Sequence, residues 1–80
     1  MADDKEGLLS EERNMVRLRR MVDVTTALLY QADLSLDSAQ KLIASCKRTA
    51  LEFFPDKEET FELIYGSRFR RILAERFQLQ

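Results

Sequence analysis

Pro55 is the only proline in the chain, and it limits helix length because proline cannot continue a helix without losing a backbone hydrogen bond. Asp56, with Glu59 three positions later, has the spacing of a capping box that opens a new helix. The stretch that follows is acidic at its start and rich in arginine at its end, which matches the helix macrodipole. The last third of the chain therefore predicts a stable helix over about residues 57–77.

Gly66 is the weak point of this predicted helix, because glycine costs about 1 kcal/mol relative to alanine inside a helix. The apolar positions nevertheless keep the helical period on both sides of the glycine. These positions are Phe61, Ile64, Tyr65, Phe69, Ile72, Leu73 and Phe77. We therefore expect one helix that is weak at Gly66 and Ser67. Two shorter helices broken near Gly66 are the alternative.

A first helix is predicted over about residues 11–32. Ser10 is a good N-cap, two glutamates follow it, and no proline or glycine interrupts the next twenty residues. The apolar stripe of this helix is broad and contains Met15, Leu18, Met21, Val22, Leu28, Leu29 and Ala32, with Thr25 inside it.

A second helix is predicted over about residues 37–54. Asp37 and the glutamine three positions later have capping-box spacing, and Ser35 is a competing cap. The apolar stripe of this helix is the cleanest in the chain and consists of Ala39, Leu42, Ile43, Cys46, Ala50, Phe53 and Phe54.

Eighty residues are enough for one domain, and a chain of this size buries roughly 60% of the surface that it exposes when unfolded. We expect residues 1–9 to form a disordered tail and residues 10–80 to form a single helical domain. No strand-like alternation longer than a few residues occurs. The sequence therefore predicts an all-α fold, a small three-helix antiparallel bundle with short loops.

The charge balance restricts the classes of partner. Thirteen basic and fourteen acidic side chains give a net charge of -1, so no global field attracts nucleic acid or an anionic membrane, and such binding would need a local patch. No apolar stretch approaches the roughly 20 residues that span a bilayer, and the acidic N-terminus is unlike a signal peptide. We expect a cytoplasmic protein that does not bind a membrane.

Few residues are suited to catalysis or metal binding. The chain has no histidine, which removes the commonest general base and transition-metal ligand. Cys46, the only cysteine, lies at the centre of an apolar stripe and is expected to be a buried small hydrophobe. Glu58, Glu59 and Glu62 are expected to complement the helix dipole on a solvated face. The sequence therefore predicts no catalytic residue, cofactor or metal site.

Two groups of arginines stand out. Arg13, Arg17 and Arg20 form a row on one face of the first helix, and Arg19 stands apart from it. We expect acidic residues of the fold to offset these charges: Glu58, Glu59 and Glu62 if the first and third helices are neighbours, or Asp23 for Arg19 and Arg20. Solvation and an external anionic partner are the alternatives. The third helix carries a second group. Arg70 and Arg71 point away from its apolar stripe, whereas Arg68 and Arg76 lie inside or beside it with their aliphatic stems on the core.

The apolar residues outside the stripes exceed what one small bundle can bury. This surplus predicts a protein interaction module that either self-associates, most simply as a twofold homodimer, or docks on a larger protein partner. The expected contact residues are Val16, Val24, Tyr30 and Leu63, with Arg17 and Arg20 at the rim. The alternative is a nucleic-acid-associated regulator that uses Arg68, Arg70, Arg71 and Arg76.

Overall fold

The structure, a computed structural model, describes the backbone of residues 2–31 and 33–78, and the side chains from Ser10 onward in those ranges. Within these residues it contains three helices and no strand. Helix α1 is Ala2–Leu29 and α2 is Leu36–Phe53. The third, which we call the C-terminal helix, consists of α3 (Glu58–Phe61), a π-helical turn (Glu62–Gly66) and α4 (Ser67–Phe77). The predicted all-α three-helix bundle is confirmed.

The helices alternate in direction. Met15, near the middle of α1, shares a cleft with Ala50 and Phe54 at the end of α2, so these two helices are antiparallel. The Arg76 side chain, near the end of the C-terminal helix, donates a hydrogen bond to the Leu29 carbonyl at the end of α1, with a distance of 3.0 Å. The C-terminal helix therefore runs parallel to α1 and antiparallel to α2.

The core lies between the three helices and contains Leu18, Val22, Leu29, Ala39, Cys46, Ala50, Phe61, Phe69, Ile72 and Leu73, with the Thr25 side chain buried among them. These residues belong to the predicted stripes, but among the side chains that the structure describes in α1, from Ser10 onward, the first core residue is Leu18. Met15 is 37% exposed. Ala32, the last member of the predicted stripe of α1, lies outside the described residues.

The ends of α1 differ from the prediction. The helix begins at Ala2, so residues 2–9, for which we predict a disordered tail, are helical, and Ser10 lies inside the helix instead of capping it. A single glycine in this stretch weakens a helix without ending it. At the other end the helix stops at Leu29, and the Tyr30 and Gln31 amides each donate to a carbonyl three residues earlier, at 3.2 Å. The predicted end at residue 32 lies outside the described residues.

Helix α2 begins one residue earlier than predicted because the competing cap is the one that forms. The Ser35 side chain accepts a hydrogen bond from the Ser38 amide at 3.1 Å. Asp37 therefore lies in the first turn, where it pairs with Lys41 at 3.1 Å on the exposed surface. At the other end the Phe54 amide donates to the Ala50 carbonyl at 2.9 Å.

The C-terminal helix is continuous through Gly66, so the alternative of two helices broken there is wrong. The weak point instead takes the form of the π-helical turn. Gly66 is buried, and the Glu62 carboxylate reaches past it to the Arg70 guanidinium at 3.0 Å. A Cβ at position 66 would clash with that carboxylate, so glycine lets this ion pair cross the helix surface.

An ion cluster joins α2 to the C-terminal helix. The Lys47 ammonium lies 3.1 Å from the Glu58 carboxylate and 2.8 Å from the Glu62 carboxylate. The predicted pairing of these glutamates with the arginine row of α1 is therefore wrong, because the partners are Lys47 and Arg70. Hydrogen bonds to the Glu62 carboxylate hold its pKa below the ordinary value, and the bond from Lys47 has a larger effect than the bond from Arg70. The Glu62 and Glu58 carboxylates raise the pKa of Lys47.

This lowered pKa makes stability depend on pH. The ion pairs of Glu62 stabilise the fold fully above the ordinary glutamate pKa, and the effect is lost as the pH falls through the lower pKa of the folded chain. We expect Glu62→Gln to lower stability at neutral pH and to remove part of the loss seen between about pH 5 and pH 3. Urea unfolding across that range measures both effects.

The matched control is Glu52→Gln, because Glu52 is exposed and has no ion pair within the described residues. This control should follow the unsubstituted chain at every pH. If Glu62→Gln also followed it, the ion cluster would contribute nothing to stability.

Candidate functional site

An apolar cleft of about 330 Å³ opens between α1, the end of α2 and the start of the C-terminal helix. Its apolar walls consist of Met15, Leu18, Ala50, Leu51, Phe54, Phe61, Ile64 and Tyr65. Its polar lining residues are Glu11, Lys57 and Thr60. We call this feature the apolar cleft.

The cleft exists because the helices end at different levels along the bundle. Helix α2 ends at Phe53 ahead of Pro55, whereas α1 continues past this level toward its N-terminus. The apolar stripe of α1 therefore loses its partner on one side at Met15, the residue one turn before buried Leu18. The bundle is consequently open at this end.

The π-helical turn places Ile64 at the cleft. In a π-helical turn the hydrogen bond closes over five residues instead of four, which shifts the phase of the apolar stripe. Phe61 and Gly66 are buried, while Ile64, a member of the predicted stripe, is 49% exposed. Leu63, its neighbour in the same turn, is 76% exposed and does not line the cleft.

Aromatic and cationic contacts hold the wall on the side of the C-terminal helix. The Phe61 and Tyr65 rings have centroids 5.6 Å apart at an angle of 52°. The Arg68 guanidinium carbon lies 5.7 Å from the Tyr65 ring centroid, a cation–π distance. Tyr65 is thereby held between an apolar neighbour and a basic one.

A second groove, of about 200 Å³, continues from the apolar cleft between α1 and the C-terminal helix. It shares Ile64 and Tyr65 with the cleft. The residues that only the groove contains are Val22, Arg19, Asp23 and Arg68. The cleft and the groove together form one trough that is apolar at one end and carries two arginines at the other. We call it the trough.

The predicted contact residues are exposed, but they do not form one surface. Val16, Arg17 and Arg20 lie together with Glu12 and Arg13 along a shallow groove on the outer face of α1. Val24, Tyr30 and Leu63 are exposed and line neither this groove nor the apolar cleft.

The sequence reasoning missed the apolar cleft, because it assigned Met15 and Ile64 to the core. The available signal was Pro55, which ends α2 opposite the middle of a longer α1. The π-helical turn has no comparable local signature.

The arginine row of α1 is not paired as predicted. Within the part of the chain whose side chains the structure describes, no carboxylate lies within 4.0 Å of Arg13, Arg17 or Arg20. Neither the glutamates of the C-terminal helix nor Asp23 offsets them. The row therefore presents its positive charges at the surface.

The arginines of the C-terminal helix have several structural roles. Arg76 donates to the Leu29 and Gln31 carbonyls and so caps the end of α1. Arg70 pairs with Glu62, and Arg68 lies over Tyr65. Arg71 is exposed. Three of the four arginines predicted as nucleic-acid contacts thus have contacts within the fold, Arg70 and Arg76 through hydrogen bonds and Arg68 through the Tyr65 ring.

Cys46 is buried, and burial raises the pKa of its thiol, although a hydrogen bond with the Thr25 side chain opposes the rise. Among the described residues no group of three Cys, His, Asp or Glu side chains could hold a metal ion. None of the helices in the same residues has the length and apolar character required to cross a membrane.

The buried thiol should resist modification. We expect Cys46 in the folded chain to react with a soluble disulfide reagent at least roughly 100-fold more slowly than in urea, because attack needs both the thiolate and an opening of the core. The matched control is Ser45→Cys in a Cys46→Ala background, which places the thiol at an exposed neighbouring position. Native Cys46 that reacted as fast as this control would be a nucleophile candidate after all.

Comparisons with protein-family models, with curated proteins and with solved structures found no match to this chain.

Proposed function

We propose that this protein is a non-enzymatic interaction module that binds an amphipathic helix of a protein partner in the apolar cleft. The observation that carries the proposal is an open cleft with apolar walls, in which Met15 is 37% exposed and Ile64 49% exposed. Contiguous apolar surface that a monomer leaves in water is typical of interaction sites. A groove between helices is the usual receptor for the apolar face of another helix.

The lining of the cleft favours a helix over a small molecule. Small-molecule sites combine apolar walls with a few polar groups that converge on the ligand. Here the polar lining consists of Glu11, Lys57 and Thr60, all of which are exposed. This arrangement resembles the polar rim of a protein interface more than a set of groups that fix one ligand.

The wall that carries Ile64 is held by contacts within the fold, which favours binding. The ion cluster of Lys47, Glu58 and Glu62 joins this helix to α2, and the Phe61–Tyr65 contact fixes the neighbouring ring. A site that is already in its binding geometry loses less conformational entropy when a partner docks. π-helical turns also occur frequently at functional sites.

The non-enzymatic part of the proposal has chemical support. The sequence contains no histidine, and the single thiol is buried with a raised pKa. The nucleic-acid alternative receives less support, because Arg70 and Arg76 already bind groups within the fold. Arg68 and Arg71 alone would have to supply its phosphate contacts.

The test is a titration of the full chain, labelled at its methyl groups, with amphipathic helical peptides that have a leucine-rich face and an acidic, neutral or basic polar face. We expect at least one peptide to shift the methyl resonances of Met15, Leu51 and Ile64. Ile64→Glu should raise the dissociation constant at least about tenfold, because it places a carboxylate in the apolar wall.

Leu63→Glu is the matched control. It makes the same kind of change at the adjacent, more exposed residue of the same turn, which does not line the cleft. Its dissociation constant should stay within about twofold of the unsubstituted value. The proposal fails if no peptide shifts the cleft methyl groups, or if both substitutions weaken binding equally.

A further inference from the structure

Resting on the proposed function, we propose that the partner is a second copy of this chain and that its residues 2–9 occupy the trough. The two copies would then pair through antiparallel α1 helices, each inserting its N-terminal segment between α1 and the C-terminal helix of the other. The observations that support this occupant are the extent of α1, the order of charges along the trough and the spacing of residues in the two segments.

The N-terminal half of α1 extends beyond the bundle. Helix α1 has 28 residues and α2 has 18, and the molecule measures 52 × 22 × 15 Å. No residue from Ser10 to Arg17 is buried. In proteins most of the stability of a helix comes from packing of its apolar face against another surface. A second copy supplies that surface.

The charges of the segment are opposite to those of the trough. Residues 2–9 contain three acidic residues and one basic residue, and they end with the pair Leu8 and Leu9. The trough begins with the apolar cleft, whose lining includes Glu11 and Lys57, and ends beside Arg19 and Arg68, with Asp23 next to them. An antiparallel segment would place its leucines in the apolar part and its acidic end beside the arginines.

The apolar and charged residues have the same spacing along the docked segment of one copy and along α1 and the C-terminal helix of the other. With Leu8 of one copy level with Met15 and Ile64 of the other, Asp4 lies one turn further along, about 6 Å at 1.5 Å per residue. Arg19 is also four residues from Met15, and Arg68 is four residues from Ile64. Because α1 and the C-terminal helix are parallel, both arginines lie in the direction in which the docked segment runs.

The arginine row of α1 lies outside this contact. Arg17 and Arg20 lie on the outer face of α1, on a groove that shares no residue with the trough, so the docked segment does not reach them. The docking is reciprocal, as in a twofold dimer, so each copy gives one acidic segment and receives one.

The register also has an unfavourable consequence at the twofold axis. It places Glu11 level with the partner's Glu12, so that four carboxylates lie near one another in the dimer. Like charges at such positions are destabilising. Glu12→Gln should therefore tighten the dimer, lowering its dissociation constant about two- to fivefold.

The main experiment is a charge exchange in the full chain, followed by sedimentation velocity in low salt at about 100 μM protein. The unsubstituted chain should be a dimer. One variant carries Asp3→Lys with Asp4→Lys, and the other carries Arg19→Glu with Arg68→Glu. Each variant alone places like charges against one another in the dimer, so the dissociation constant of the dimer should rise at least about tenfold.

An equimolar mixture of the two variants should restore the dimer. In the mixed pair, the lysines of one chain meet the introduced glutamates of the other, and the unchanged acidic segment meets unchanged arginines. A matched control, Arg48→Glu with Arg71→Glu, makes the same change of charge at exposed positions outside the trough and should remain dimeric. Circular dichroism checks that each variant is folded.

A monomeric unsubstituted chain at about 1 mM would overturn the inference, and the peptide titration would then judge the proposed function by itself. A mixture that stayed monomeric, a dimer unaffected by either exchange, or a control that dissociated equally would also overturn it. Weaker association of Glu12→Gln would overturn the register and the inference with it.

Discussion

The π-helical turn of the C-terminal helix decides which of its side chains reach the core and which reach the surface. It buries Phe61 and Gly66 and turns Ile64 and Leu63 outward. A purely α-helical segment with the same sequence would carry Ile64 on the same stripe as Phe61 and Tyr65. The exposure of Ile64 in the apolar cleft therefore depends on a local change of helical phase and not on an unusual composition.

The ion cluster stabilises this turn from two sides. Lys47 holds Glu62 against α2, and Arg70 holds the other oxygen of the same carboxylate along the helix. Gly66 has no side chain to block the second contact. An exposed ion pair contributes little by itself, but here one carboxylate is shared by two cations beside the wall of the apolar cleft.

The capping and periodicity signals predicted the parts of the fold that local sequence controls. Ser35 caps α2 through its own hydroxyl, and Pro55 ends that helix, so both ends could be read within one residue. The start of α1 could not be predicted in this way. A glycine weakens a helix without ending it, and Ser10 has the sequence context of an N-cap although it lies inside the helix. The partners of Glu62 and the phase of Ile64 depend on the packing of two helices, which no local pattern records.

The net charge of -1 conceals a separation of charge along α1. The residues before Arg13 are predominantly acidic, and the stretch from Arg13 to Arg20 contains four arginines and no acidic residue. Separation of this kind brings no benefit to a monomer, where the arginines repel one another. In the dimer that we propose, the antiparallel α1 helices would bring the acidic end of one segment to Arg19 of the other copy. Such complementarity would set the register and orientation of the interface more than its affinity, and the exposed apolar surface of Met15 and Ile64 would supply the driving force.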